Sequence, residues 1–148
     1  MLDNIFELER RSRIKLGLVQ KILLAETGST EQTLSVLTGS EVRVHILEQR
    51  EDNEVISRES IILNNCTKRV LVRAYSKIFN RNLPRRIVHH IRLRRLGIGK
   101  IIANYRLETF RRIIEVGYDQ ENRSVFRRYQ IIYRKKVAFE ILEELTGL

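Results

Sequence analysis

The sequence predicts a single α+β domain over residues 1–148, built on an antiparallel sheet. Three observations predict it. Apolar residues recur at helical spacing over the first part of the chain. From Val42 they alternate with polar residues, in segments joined by short polar turns. A second helical stretch, after Pro84, separates two groups of strand-like segments.

From Asn4 to Glu26, Ile5, Leu8, Ile14, Leu18 and Ile22 recur mostly at three- and four-residue steps, the pattern of an amphipathic helix. Gly28-Ser29 breaks it. Ser29-Thr30-Glu31-Gln32 has capping-box spacing, with Ser29 accepting from the Gln32 amide and Gln32 reaching back. A short helix with Leu34 and Leu37 on one face follows and stops at Gly39. Val42, Val44 and Ile46 then alternate with Arg43 and His45. Glu51 to Glu54 turns the chain into Val55–Leu63, and Asn64-Asn65 turns it again into Arg69–Phe79, an antiparallel meander. Pro84 suits a helix start, and Arg85–Arg95 carries Ile87, Val88, Ile91 and Leu93. Leu96 to Lys100 interrupts this helix. Arg106–Val116, Val125–Tyr133 and Val137–Leu145 are strand-like, and no internal repeat is visible.

A single proline and no Gly/Ser/Pro-rich stretch argue against a linker. The apolar runs are too short to span a bilayer, and the N-terminus lacks a secretory pattern. A lone Cys66 excludes an intramolecular disulfide. Three histidines without a Cys or His cluster give no zinc spacing. The expectation is a reduced, cytoplasmic protein with no metal and no membrane partner. The net charge of +10 is uneven: residues 1–60 carry 8 Lys+Arg and 11 Asp+Glu, whereas 61–148 carry 20 and 7. A basic half suits nucleic acid or a small anionic ligand, and composition does not choose between them.

Two residues stand out by position. Alternation puts Val137, Phe139, Ile141 and Glu143 on one strand face, so Glu143 ends an inward apolar run unless the strand has already ended there. A buried carboxylate must be paired, protonated or used. Arg73 lies among Val70, Leu71, Val72 and Ala74 and shares a face with Leu71 and Tyr75. It is either a cavity arginine or half of a sheet-face ion pair; in a cavity, its planar fork matches a carboxylate. Leu96-Gly97-Ile98-Gly99-Lys100 lacks the third glycine and preceding strand of a dinucleotide fingerprint. It is either a plain loop or a place where backbone amides face an anion. Most other arginines read as solvated.

Three passages resemble the chorismate pyruvate-lyase family, particularly its archaeal branch. They are Leu23 to Thr30; Arg58-Glu59-Ser60-Ile61-Ile62-Leu63 running on to Val72-Arg73; and Ile98-Gly99-Lys100 through Ile114-Glu115-Val116-Gly117, with Phe126-Arg127-Arg128 and Ile141-Leu142-Glu143 after it. The resemblance implies a six-stranded antiparallel sheet with helices on one side and a ligand site beneath two helical flaps. It also implies loss of pyruvate from chorismate to leave 4-hydroxybenzoate, without metal or organic cofactor. Arg73 would grip the ring carboxylate with the backbone amides of Ser29 and Ile98. Glu143 would face the ether or phenol oxygen and, with a raised pKa, protonate the departing group. Glu143 takes this role only if the last hairpin holds one extra residue; otherwise the position falls on Leu142, and Glu140 is the rival carboxylate.

Two other readings remain. Effector-binding domains of certain bacterial transcription regulators share the fold and bind small molecules without catalysis; they normally follow a winged helix, and the expectation here is that no such DNA-binding segment precedes residue 1. Nucleic-acid binding rests on charge alone. The expected partner is therefore a small dianionic carboxylate substrate and no nucleic acid.

Overall fold

Strand spacing begins at Val42, and the sheet begins there too. In the computed structural model, which describes residues 1–148, helices α1 (Leu2–Ser12), α2 (Leu18–Ala25) and α3 (Thr30–Thr38) come first. Strands β1 (Val42–Asp52), β2 (Val55–Asn64) and β3 (Val70–Phe79) follow. A 3-10 turn, α4 (Arg85–Arg92) and α5 (Ile98–Asn104) lead into β4 (Thr109–Asp119), β5 (Ser124–Tyr133) and β6 (Lys136–Glu144). The strands form one antiparallel sheet in the order β1-β2-β3-β6-β5-β4. This is the α+β architecture expected. No helix is long and apolar enough to cross a membrane.

The helix expected from Asn4 to Glu26 is two helices. Arg13 leaves α1 in the left-handed region (φ 54), and the Glu9 side chain accepts from the Leu16 amide at 2.9 Å, closing a corner before Gly17. The apolar spacing changes phase there: Ile5, Leu8, Leu23 and Leu24 are buried, whereas Leu18 and Ile22 are exposed. Ser29 does cap α3, accepting from the Gln32 amide at 3.3 Å, but Gln32 does not bond back. Gly39 ends α3 at φ 66, a conformation that other residues adopt only with strain.

Contrary to the sequence reading, the fold contains a repeat. The order α2-α3-β1-β2-β3 recurs as α4-α5-β4-β5-β6. The first strand of each meander is bulged at the same place, between Ile46 and Glu48 and between Ile113 and Glu115. Pairing of β3 with β6 creates an approximate two-fold axis at Tyr75–Leu142. Arg58 pairs with Ser76 as Arg127 pairs with Glu143, which makes Arg58 equivalent to Arg127 and Ser76 to Glu143. By the same register Ser60 matches Tyr129. Such positions share burial rather than residue type, so the repeat leaves little trace in the sequence.

The sheet's inner face carries two apolar cores. At one end Ile56, Ile78, Ile131 and Phe139 meet Ile87, Ile91 and Ile101 of α4 and α5. At the other, Ile62, Val72, Val125 and Leu145 meet Leu8, Leu23, Leu24 and Leu34 of α1–α3. Each fully buried aliphatic side chain contributes about 1.5–3 kcal/mol. Between the cores, every inner strand changes character: Arg58 and Ser60 in β2, Ala74 and Ser76 in β3, Arg127 and Tyr129 in β5, Glu143 in β6 are all buried. This polar belt crosses the two-fold axis.

Candidate ligand cavity

A cavity of about 50 Å³ opens in the belt, lined on one side by Thr30, Arg111, Tyr129 and Glu143 and on the other by Arg58, Ser60, Ser76 and Ile98. The starts of α3 and α5 both border it, with Ser29 and Gly97 at their caps.

The first side is filled by its own charges. Glu143 Oε1 accepts from the Thr30 hydroxyl (2.9 Å) and the Tyr129 hydroxyl (2.6 Å), and Oε2 accepts from Arg127 Nε (2.9 Å). Arg127 also donates to the Glu26 carbonyl and carboxylate, and lies over the Tyr129 ring at 4.8 Å. Arg111, on β4, donates to Thr30 Oγ1 and Tyr129 OH and lies 4.9 Å from the centroid of that ring. Burial pushes the Glu143 carboxyl up, but Arg127 and Arg111 and the bonds from Tyr129 and Arg127 outweigh it, so its pKa is lowered. This reverses the raised pKa expected of an acid: Glu143 is a carboxylate. Burial, followed by the Glu143 charge, pushes the Tyr129 phenol far up, so it stays protonated as the donor.

The second side is built alike but left open. Arg58 donates Nε to Gln49 (2.8 Å), Nη1 to the Leu96 carbonyl (2.9 Å) and Nη2 to the Ile91 carbonyl (3.0 Å). It clamps the end of α4 as Arg127 clamps the end of α2. No carboxylate lies within ion-pairing distance of it, although it is only 3% exposed. Burial, with a smaller push from Arg94, lowers its pKa to about 10. The position that would supply the counter-charge, by analogy with Glu143, is Ser76.

Of the residues singled out from sequence, Ser29, Ile98 and Glu143 come together around this cavity. Glu143 faces inward, while Glu140 and Leu142 belong to the opposite face of β6. Arg73 is not brought to the cavity. It lies with Tyr75 and Lys77 on the helix-free face of β3, 3.7 Å from Glu59. The bulge between Ile62 and Leu63 leaves Ala74 and Ser76, not Arg73, pointing inward. Arg58, Arg111 and Arg127 take the cationic positions instead. Alternation held the signal: Ile56, Arg58, Ser60 and Ile62 share one face, as do Val125, Arg127, Tyr129 and Ile131. No group of three or more His, Cys, Asp or Glu side chains is placed to share a metal ion.

Fold and cavity together define a class: α+β proteins that enclose a small, charged chamber at the centre of a duplicated antiparallel sheet. No protein-family model matches the chain. A curated protein of Methanocaldococcus jannaschii, named "Putative lyase MJ0807", is 34% identical over 142 residues, covering 84% of this chain and 76% of that protein. The chain belongs to the family of that archaeal protein.

Proposed function

We propose that the protein is a lyase that eliminates pyruvate from chorismate and leaves 4-hydroxybenzoate. The observation that carries this reading is the inequality of the twin arginines. Arg127 has Glu143 and Glu26 as counter-charges, whereas Arg58, equally buried, has none. An uncompensated guanidinium in a low-dielectric interior is costly, and a ligand carboxylate would relieve it. Ser76 is small enough to leave the required space. The name of the archaeal relative supports a lyase, and the choice of chorismate rests on the sequence resemblance.

In this reading the ring carboxylate takes Arg58 and the backbone amide of Ile98, with the Ser29 amide at the cavity's edge. The far end of the ring meets Glu143. Arg58 and Glu143 stand two strands and two residues apart, a Cα separation of roughly 12 Å. That spans a para-substituted ring and two side chains. As a carboxylate, Glu143 accepts a hydrogen bond from the ring hydroxyl rather than delivering a proton. Cleavage of the ring carbon–oxygen bond releases enolpyruvate with the bonding electrons, and the proton lost from the hydroxyl-bearing ring carbon ends on that leaving group to give pyruvate; the ring becomes aromatic, which drives the reaction. The protein's work is then orientation and exclusion of water.

The three donors already held by Glu143 also favour a second reading, a binder of aromatic acids without turnover. Purified protein mixed with chorismate distinguishes them. Pyruvate, followed by coupled reduction, should appear in equal amount with 4-hydroxybenzoate. A flat pyruvate trace from folded protein that still binds 4-hydroxybenzoate would leave only the binder.

A further inference from the structure

The sheet face opposite the helices is uncovered, and strand register gives it a charge pattern. Pairing sets residues in rows across the sheet. The middle row runs Glu48, Glu59, Tyr75, Leu142, Arg128, Glu115 from β1 to β4. On one side of it the four central strands carry Ile61, Arg73, Glu144 and Phe126. On the other they carry Ser57, Lys77, Glu140 and Gln130. Alternation points these side chains away from the buried Arg58, Ser76, Arg127 and Glu143. An open hollow of about 770 Å³ runs over this face, with Tyr75 and Leu142 in its lining.

Several charges here have no partner within the chain. Lys77, Glu140 and Glu144 form no ion pair, although Lys77 stands opposite Glu140 in register and Arg73 opposite Glu144. Burial, then Asp119, pushes the Glu144 carboxyl up against the pull of Arg73. Apolar groups are uncovered as well: Tyr75 at the centre and Leu47 and Ile114 on the outer strands are exposed.

We infer that this face is an interface between two copies of the chain, stacked sheet on sheet about a two-fold axis running along β3 and β6. Such stacking sets sheets about 10 Å apart with nearly aligned strands. It also turns each row onto its own reverse. Glu59 then faces the partner's Arg128, Tyr75 the partner's Leu142, and Ile61 the partner's Phe126. Arg73 faces the partner's Glu144, and Lys77 the partner's Glu140. An axis running across the strands instead sets Arg73 on Lys77 and Glu140 on Glu144, so charge selects the first. On the outer strands Glu48 meets Glu115, which confines the favourable contact to the four central strands. These make a patch of roughly 19 by 17 Å. That is below the standard interface size, so the dimer should dissociate on dilution.

Sedimentation velocity of the full chain from about 1 to 500 µM tests this. Wild type should pass from monomer to dimer across the series, and a monomer throughout would overturn the inference. Arg73→Glu/Lys77→Glu sets acid on acid, and Glu140→Lys/Glu144→Lys sets base on base. Each should weaken self-association at least about thirtyfold, because facing like charges cost several kcal/mol. An equimolar mixture of the two should recover a dimer within about fivefold of wild-type affinity, since every reversed charge then meets its opposite. Double variants that associate like wild type, or a mixture that stays monomeric, would refute the interface. Glu48→Lys removes only a repulsion, so weaker association of that protein would refute the register. Should a double variant fail to melt cooperatively, Lys77→Glu and Glu140→Lys singly, and mixed, are read by the same outcomes.

Discussion

Arg58 and Arg127 show how one residue type at matched positions takes two roles through its neighbours. Arg127 is structural: truncating it to Met would strand Glu143 without its closest cation, at a cost of about 3–5 kcal/mol. Urea denaturation should show that loss. Arg58→Gln keeps bulk and some hydrogen bonding but removes the unmatched charge. It should weaken 4-hydroxybenzoate binding by about ten- to a hundredfold, the usual range for a charge-assisted bond. Arg73→Ala should leave that affinity unchanged, because the side chain lies on the opposite sheet face beside Glu59. Glu143 governs the acid limb. Its folded pKa lies below the ordinary 4.5, so its ion pair stabilises the fold fully above that value and is lost as pH falls through the lowered one. Thermal melts should therefore hold down to about pH 5 and drop below pH 4, and a Glu143→Gln protein should lack that part of the drop. Glu143 was legible from sequence because it closes an alternating run. Arg58 was not singled out, because Ser57, Glu59 and Ser60 beside it make the strand look polar on both faces.

At the level of elements, helix ends matter most, since both helix pairs bring their second members to the chamber. Ser29 caps α3 with its side chain. Ser29→Ala should cost about 1 kcal/mol, readable as a lower denaturation midpoint, while binding falls little if the backbone amide is the part that meets the ligand. Most strands were legible nearly to their ends, because alternation over ten residues is hard to mistake, but β4 was expected at Arg106–Val116 and runs Thr109–Asp119. The break between α1 and α2 was not. It depends on Glu9 turning back to the Leu16 amide, a tertiary choice that helical spacing through Ile14 does not encode. The last hairpin's register could be fixed only by its partners. Arg127 opposite Glu143, and Ala74 opposite it in β3, determine which carboxylate points inward.

The whole molecule carries a charge of +10, concentrated in the second half of the chain. Few of these charges touch the cavity, so their influence on a small anion acts at a distance. Raising ionic strength from about 20 to 500 mM should slow association of 4-hydroxybenzoate severalfold and leave its dissociation nearly unchanged. Stopped-flow mixing would separate the two.

The two-fold axis through Tyr75–Leu142 has a last consequence. A chamber with identical halves would accept a ring acid either way round and could not tell its head from its tail. The exchanges of Glu143 against Ser76 and of Tyr129 against Ser60 remove that ambiguity. The chamber thereby acquires a polarity, and under the proposed lyase reaction it would present one chosen carbon–oxygen bond, and not its mirror position, to the same side chain at every encounter.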